Sequence, residues 1–162
     1  MKQVMVVRHS KSESIEENLG DFVREITDGG EQQMRALARK IVEHDLMPEH
    51  IVTSDAVRAV QTANVFREQS GYTGEIEENP DLYDATEQTY IDVLCNSDDR
   101  LTRIMIVGHN PAVEAVVHRL IGKHRKMKPG AAAVVSSDVA SWRDLVGADA
   151  VRLQKFFEPI GG

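Results

Sequence analysis

The sequence has a single cysteine, no long apolar run and no extended basic tract, and each absence removes a class of protein. With Cys95 alone, no intrachain disulfide can form and a disulfide-built secreted fold is excluded. Its setting, Ile91-Asp92-Val93-Leu94-Cys95, reads as the buried face of a helix, which favours packing over a reactive thiol. The opening Met1-Lys2-Gln3-Val4-Met5-Val6-Val7 is too short an apolar run for a signal peptide or a membrane span. A formal net charge of -7 gives no bulk attraction to nucleic acid or to an anionic membrane, so neither is an expected partner. Internal repeats, low-complexity tracts and an interdomain linker are missing as well.

What remains is ordinary for a globular chain. At 162 residues, with 41% hydrophobic and 28% charged side chains, residues 1–162 are expected to form one compact domain. A chain of this length buries roughly 70% of its unfolded surface, enough for a real core.

The apolar pattern alternates between strand and helix periods. Gln3 to Val7 is a β-rich run that stops at the polar Arg8-His9-Ser10-Lys11-Ser12, the mark of a strand ending in a loop. Met34, Leu37, Ala38, Ile41 and Val42 share a helical face, and Asp28 with Glu31 resembles its capping box. Ile51 to Thr53 is a strand, and Asp55 can cap a helix to about Gln69 with Val57, Val60, Ala63 and Phe66 or Asn64 inward. A weaker strand at Glu75 to Glu77 precedes a loop with Pro80, and Thr86 can cap a helix burying Tyr90, Ile91, Leu94 and Cys95.

Arg103 to Val107 is a strand whose continuous Ile-Met-Ile-Val run suits burial on both faces. Asn110 and Pro111 supply N-cap and N1 chemistry for a helix that Gly122 closes. Ala131 to Val135 and Val151 to Phe157 are the last strands. This order predicts an α/β three-layer sandwich: a mainly parallel central sheet, helices on both faces, and room for one antiparallel strand at an edge.

In such sheets ligands collect beyond the carboxyl ends of the strands. Three predicted strands end there in polar clusters: Arg8-His9, Ser54-Asp55 leading to Arg58, and Gly108-His109-Asn110. The set suits a phosphoryl group. Arginine gives its oxygens a planar, permanently charged fork. Imidazole, with a reference pKa of ~6.5, is an available nucleophile near neutral pH. A second histidine can donate to the oxygens as charge spreads over them, and two helix N-termini add partial positive charge. Singly, each residue has a plainer reading: a histidine at a strand end is usually structural, and an arginine on a helix is usually solvated. The convergence of the set carries the argument.

Val6-Val7-Arg8-His9-Ser10-Lys11-Ser12 resembles the Arg-His signature of the histidine phosphatase superfamily, the phosphoglycerate mutase-like fold. Ser54 to Ala63 resembles its second motif and Val107-Gly108-His109-Asn110-Pro111 its third. Asp21 to Gly30, with Arg24, Ile26, Thr27 and Gly30, and the later Ser141-Trp142-Arg143-Asp144-Leu145 are similar to the short SixA-type branch. The resemblance runs in order through nearly the whole chain. It implies His9 as the phosphorylated nucleophile, Arg8 and Arg58 as phosphate ligands, His109 as the second histidine, and no metal or other cofactor. The sequence itself shows no metal-ligand spacing. SixA-type enzymes act on phosphohistidine in signalling proteins. The expected partner is therefore a phosphorylated protein bearing phosphohistidine, the alternative a small phosphorylated molecule, and the remote case a phosphate-binding module without turnover. Cleavage of a leader would disturb a site that begins at Arg8, so a cytoplasmic location is expected.

Ser10 stands where the superfamily commonly has glycine, and Lys11 where an acidic residue is common; small residues at the former position are frequent in the short branch. Leu82-Tyr83-Asp84 resembles the segment that supplies a proton donor, with Asp where many relatives have Glu. At this level Asp84 is either a general acid or a loop cap. Lys123-His124-Arg125-Lys126-Met127-Lys128 is either a solvated loop or a docking patch for an acidic or phosphorylated partner.

Overall fold

The computed structural model describes residues 1–15 and 20–161. Six strands and four helices follow one another: β1 (Lys2–Arg8), α1 (Asp28–Glu43), β2 (His50–Ser54), α2 (Val57–Ser70), β3 (Ile76–Asn79), α3 (Glu87–Cys95), β4 (Arg103–Gly108), α4 (Ala112–Ile121), β5 (Ala132–Ser137) and β6 (Val151–Phe157). The strands form one sheet in the order β3-β2-β4-β1-β5-β6. Strands β1 to β4 are mutually parallel, β5 is antiparallel to β1, and β6 is antiparallel to β5.

Strand alternation divides the core. Val4 and Val6 of β1 and Ile104 and Ile106 of β4 face a cluster closed by Tyr90, Ile91 and Leu94 of α3 and Val113, Val116 and Val117 of α4. Met5, Val7, Met105 and Val107 face the other way, against Met34, Leu37 and Ile41 of α1 and Ala59, Ala63 and Phe66 of α2. The result is the expected three-layer α/β sandwich.

Register places the site. Arg8 at the end of β1 pairs with Gly108 at the end of β4. Thr53 pairs with Val107, so Ser54 closes β2 at the same height. Three chain segments distant in sequence thus meet on one rim.

Several boundaries differ from the sequence reading. Thr27, one residue earlier than Asp28, caps α1: its hydroxyl accepts from the Gly30 amide at 3.0 Å. Gly30 is needed there because a Cβ would collide with the Lys11 backbone carbonyl. Val42 is 50% exposed and leaves the inner face of α1. Asp55 does not cap α2, which starts at Val57 without a side-chain cap; Ala63 and Phe66 face inward as expected, and Ala59 joins them in place of Val57 and Val60. Helix α4 starts one residue late, at Ala112, although Asn110 Oδ1 still accepts from the Glu114 amide at 3.3 Å. Cys95 is only half-buried at the end of α3.

The single reversed strand is β5, one place in from the edge. The reason is the chain's path: after α4 the backbone folds back to the rim, where the Gly130 amide donates to the carbonyls of Arg8 (3.1 Å) and His9 (2.9 Å). Strand β5 therefore starts at the rim and runs down. Among the described residues, no helix is long and apolar enough to cross a membrane.

Candidate active site

The first loop after β1 is pinned from both sides. His9 donates its amide to the Gly108 carbonyl at 3.0 Å, and Arg8 donates to Ala131 at 3.1 Å. Ser10 is fully buried; its amide donates to Thr62 Oγ1 at 3.1 Å, and Thr62 in turn donates to the Arg58 carbonyl at 2.7 Å. The Ser10 hydroxyl lies 3.2 Å from the same oxygen, so backbone and side chain at position 10 together tie the loop to α2, one turn beyond Arg58.

His9 is 5% exposed. Its Nδ1 lies 2.8 Å from the Ser10 carbonyl. A carbonyl can only accept, so Nδ1 carries the proton and Nε2 holds a lone pair. Burial, followed in smaller measure by the neighbouring His109 and then by the charges of Arg58 and Arg8, lowers its pKa to about 3. Arg58 points its Nε–H at that lone pair from 3.3 Å. The ring is a neutral base with its reactive nitrogen among guanidinium groups.

His109 lies with its ring centroid 5.2 Å from that of His9 and is 7% exposed. Its pKa falls to about 4, chiefly through burial and then the charge of Arg58. Its Nε2 is 2.8 Å from Ser54 Oγ, which accepts from the Ala56 amide. Nδ1 is buried without a partner, as is Arg8 Nε; in the tautomer where the serine proton goes to Nε2, Nδ1–H is a free donor. Arg8 spends Nη1 on the Met127 carbonyl at 3.0 Å, and burial lowers its pKa. The leading amides of α4 are spent within the chain: Val113 donates to the His109 carbonyl and Glu114 to Asn110.

Asp21 joins the arginines. Its Oδ2 accepts from Tyr83 at 2.6 Å and from Arg58 Nη2 at 3.1 Å, and its Oδ1 from Arg24 Nε at 3.0 Å. The Tyr83 hydroxyl, ahead of the arginine charge, lowers its pKa to about 2. Sequence reasoning placed Asp21, Arg24 and Tyr83 in motif-like segments but not in the site. The usable signal was Asp21-Phe22-Val23-Arg24, a spacing at which one carboxylate can meet one guanidinium.

A sequence profile of the histidine phosphatase superfamily (branch 1) matches residues 4–90, more than half of the chain. The chain belongs to the histidine phosphatase superfamily.

Solved structures extend the likeness in fold over nearly all of this superfamily member. It is 22% identical to a candidate phosphohistidine phosphatase SixA from Agrobacterium tumefaciens, with a TM-score of 0.85 over 98% of each chain. A candidate SixA from Nakamurella multipartitia gives 20% identity and a TM-score of 0.87, covering 98% of this chain and 96% of that one. A protein histidine phosphatase SixA complexed with tungstate gives 21% and 0.79 over 96% of each. No curated protein matches the chain at a significant level.

The superfamily profile ends before His109, yet β4 delivers that residue beside His9. All five residues expected from sequence line one cavity of about 410 Å³: Arg8, His9, Arg58, Asp84 and His109, together with Asp21, Arg24, Tyr83 and Asn110. Asp84 is exposed at its wall. Among the described residues, no three His, Cys, Asp or Glu side chains are grouped to hold a metal ion.

Proposed function

We propose that this superfamily member is a phosphatase that takes the phosphoryl group of a protein-borne phosphohistidine onto His9 and passes it to water. The observation that carries the reading is the His9 ring: proton on Nδ1, lone pair on a buried Nε2 facing Arg58. Nε2 attacks phosphorus as the substrate's P–N bond breaks. The electron pair returns to the departing imidazole, which leaves neutral when its other nitrogen carries a proton. Arg8 and Arg58 neutralise the phosphoryl oxygens, and His109 donates to them as charge develops. Water then attacks phosphorus, the P–Nε2 bond breaks, and inorganic phosphate departs with the water's oxygen. No step needs a metal, so turnover should survive exhaustive chelation.

Asp84 at the cavity wall supports a second reading, a small-molecule phosphomonoesterase whose alkoxide leaving group takes a proton from that carboxyl. The common core of both readings is tested by trapping. A labelled phosphoramidate should give an acid-labile, alkali-stable phosphoenzyme that His9→Ala loses while folding normally. Absence of the label in the native protein, or its persistence in the variant, would overturn the nucleophile.

A further inference from the structure

The loop after α4 holds the densest positive charge on an acidic chain: Lys123, Arg125, Lys126 and Lys128 within six residues, where the net charge is -7. Its centre is fixed to the site. Met127 is fully buried in the core under α4. Its amide donates to Glu114 Oε2 at 2.9 Å, and its carbonyl accepts from Arg8 Nη1 and Asn110 Nδ2, each at 3.0 Å. Arg8 and Asn110 both line the cavity. A merely solvated loop would not need both backbone groups of its middle residue tied to the same rim.

The cations differ in what they spend their charge on. Arg125 lies 3.9 Å over the Phe156 ring and 3.8 Å from Glu158. His124 meets Glu114 at 3.3 Å. Lys123, Lys126 and Lys128 are exposed, and Lys126 and Lys128 flank the anchored Met127. The backbone that carries Lys126 and Lys128 is therefore held beside the rim, with Lys123 further back where the loop leaves α4, on a protein whose remaining surface charge repels acidic partners.

We propose that Lys123, Lys126 and Lys128 form a docking surface for the acidic face of the protein that delivers phosphohistidine to His9. This rests on the phosphohistidine reading above. Docking there would raise encounter rate and fix orientation, and would leave the chemical step unchanged.

Two phosphohistidine peptides of equal length test it, one with six Asp or Glu residues on each side and one with Gln instead. Such a flank reaches about 20 Å when extended. The native protein should cleave the acidic peptide with a KM at least about tenfold lower than the neutral one at low salt, with equal kcat. The gap should shrink as salt rises. The K123E/K126E/K128E variant should lose the preference and keep its kcat on the neutral peptide and on phosphoramidate. KM values within twofold for the native protein, or a preference that survives in the variant, would overturn the docking surface while turnover of the neutral peptide upholds the phosphohistidine reading. Cleavage of alkyl phosphates with neither peptide turned over would overturn that reading and the surface with it.

Discussion

Arg58 donates its Nε–H to Nε2 of His9 across 3.3 Å, and His9 passes its own Nδ1–H to the Ser10 carbonyl. A protonated His9 would set a cation against a cation in a buried place, so this arrangement requires a neutral ring.

The two imidazoles should therefore titrate far below the usual histidine range. Burial holds His9 at about 3 and His109 at about 4, against 6.5 when unfolded. Below pH 6.5 the unfolded chain takes up protons that the folded chain refuses. Stability should then fall with falling pH by up to ~1.4 kcal/mol per pH unit for each ring, from 6.5 to about 4 for His109 and to about 3 for His9. Ring chemical shifts give the midpoints, and denaturant titrations give the slope, which His9→Asn should lessen. Midpoints near 6.5 would contradict the buried neutral pair.

Asp21→Ala should uncouple turnover from anion binding. The carboxylate holds Arg58 through Nη2 at 3.1 Å and Arg24 through Nη2 at 2.8 Å. Without it Arg58 loses its alignment on His9, and kcat should drop about 10- to 100-fold. The released guanidinium charge should bind free tungstate more tightly. Weaker tungstate binding with unchanged kcat would show that Asp21 does not hold Arg58 for the reaction.

Gly108→Ala should damage both stability and the site. A Cβ there would overlap the Tyr90 ring. That ring cannot turn freely, since its hydroxyl donates to the Leu82 carbonyl at 2.9 Å and accepts the His109 amide at 3.2 Å. Overpacking of this kind costs about 1–3 kcal/mol, and each kcal/mol lowers Tm by about 2–4 °C at this size. Thermal melts and kcat should fall together. An unchanged Tm would mean that Tyr90 moves aside without cost.

The strands and the three rim clusters were legible because their signals are local: Val4 to Val7 and Ile104 to Val107 are apolar runs that give way to Arg8-His9 and Gly108-His109. The parallel register needed only that order. Asp21 was not legible as a site residue, because its role depends on Arg58 and Tyr83 arriving from 37 and 62 residues away. Thr27 and Asp28 are both good caps by type, and only the Gly30 amide shows which one acts. One antiparallel strand was expected at an edge; that it is β5, one place in, was hidden for a similar reason. It depends on the Gly130 amide finding the Arg8 and His9 carbonyls, a contact that no periodicity announces.

Asp84→Asn separates the two substrate classes through their leaving groups. Asp84 is an exposed carboxyl on the wall of the cavity that His9 and His109 also line, so it either donates to the leaving group or is irrelevant when no proton is needed. A departing imidazole that is already protonated elsewhere leaves neutral, so its release asks little of an acid. Asp84→Asn should reduce dephosphorylation of a phosphohistidine peptide by less than about tenfold, below the ~100-fold floor of an essential general acid. An unactivated alkyl phosphate releases an alkoxide that must be protonated as it departs, and there the loss should reach about 100-fold or more. Both substrates are measured with native and variant protein in one buffer at one pH, so ionisation of the substrate cancels in the ratio. Large and equal losses would make Asp84 an obligatory acid and favour the small-molecule phosphatase. No loss on either would leave Asp84 outside the reaction, a surface carboxylate that the fold happens to place at the rim.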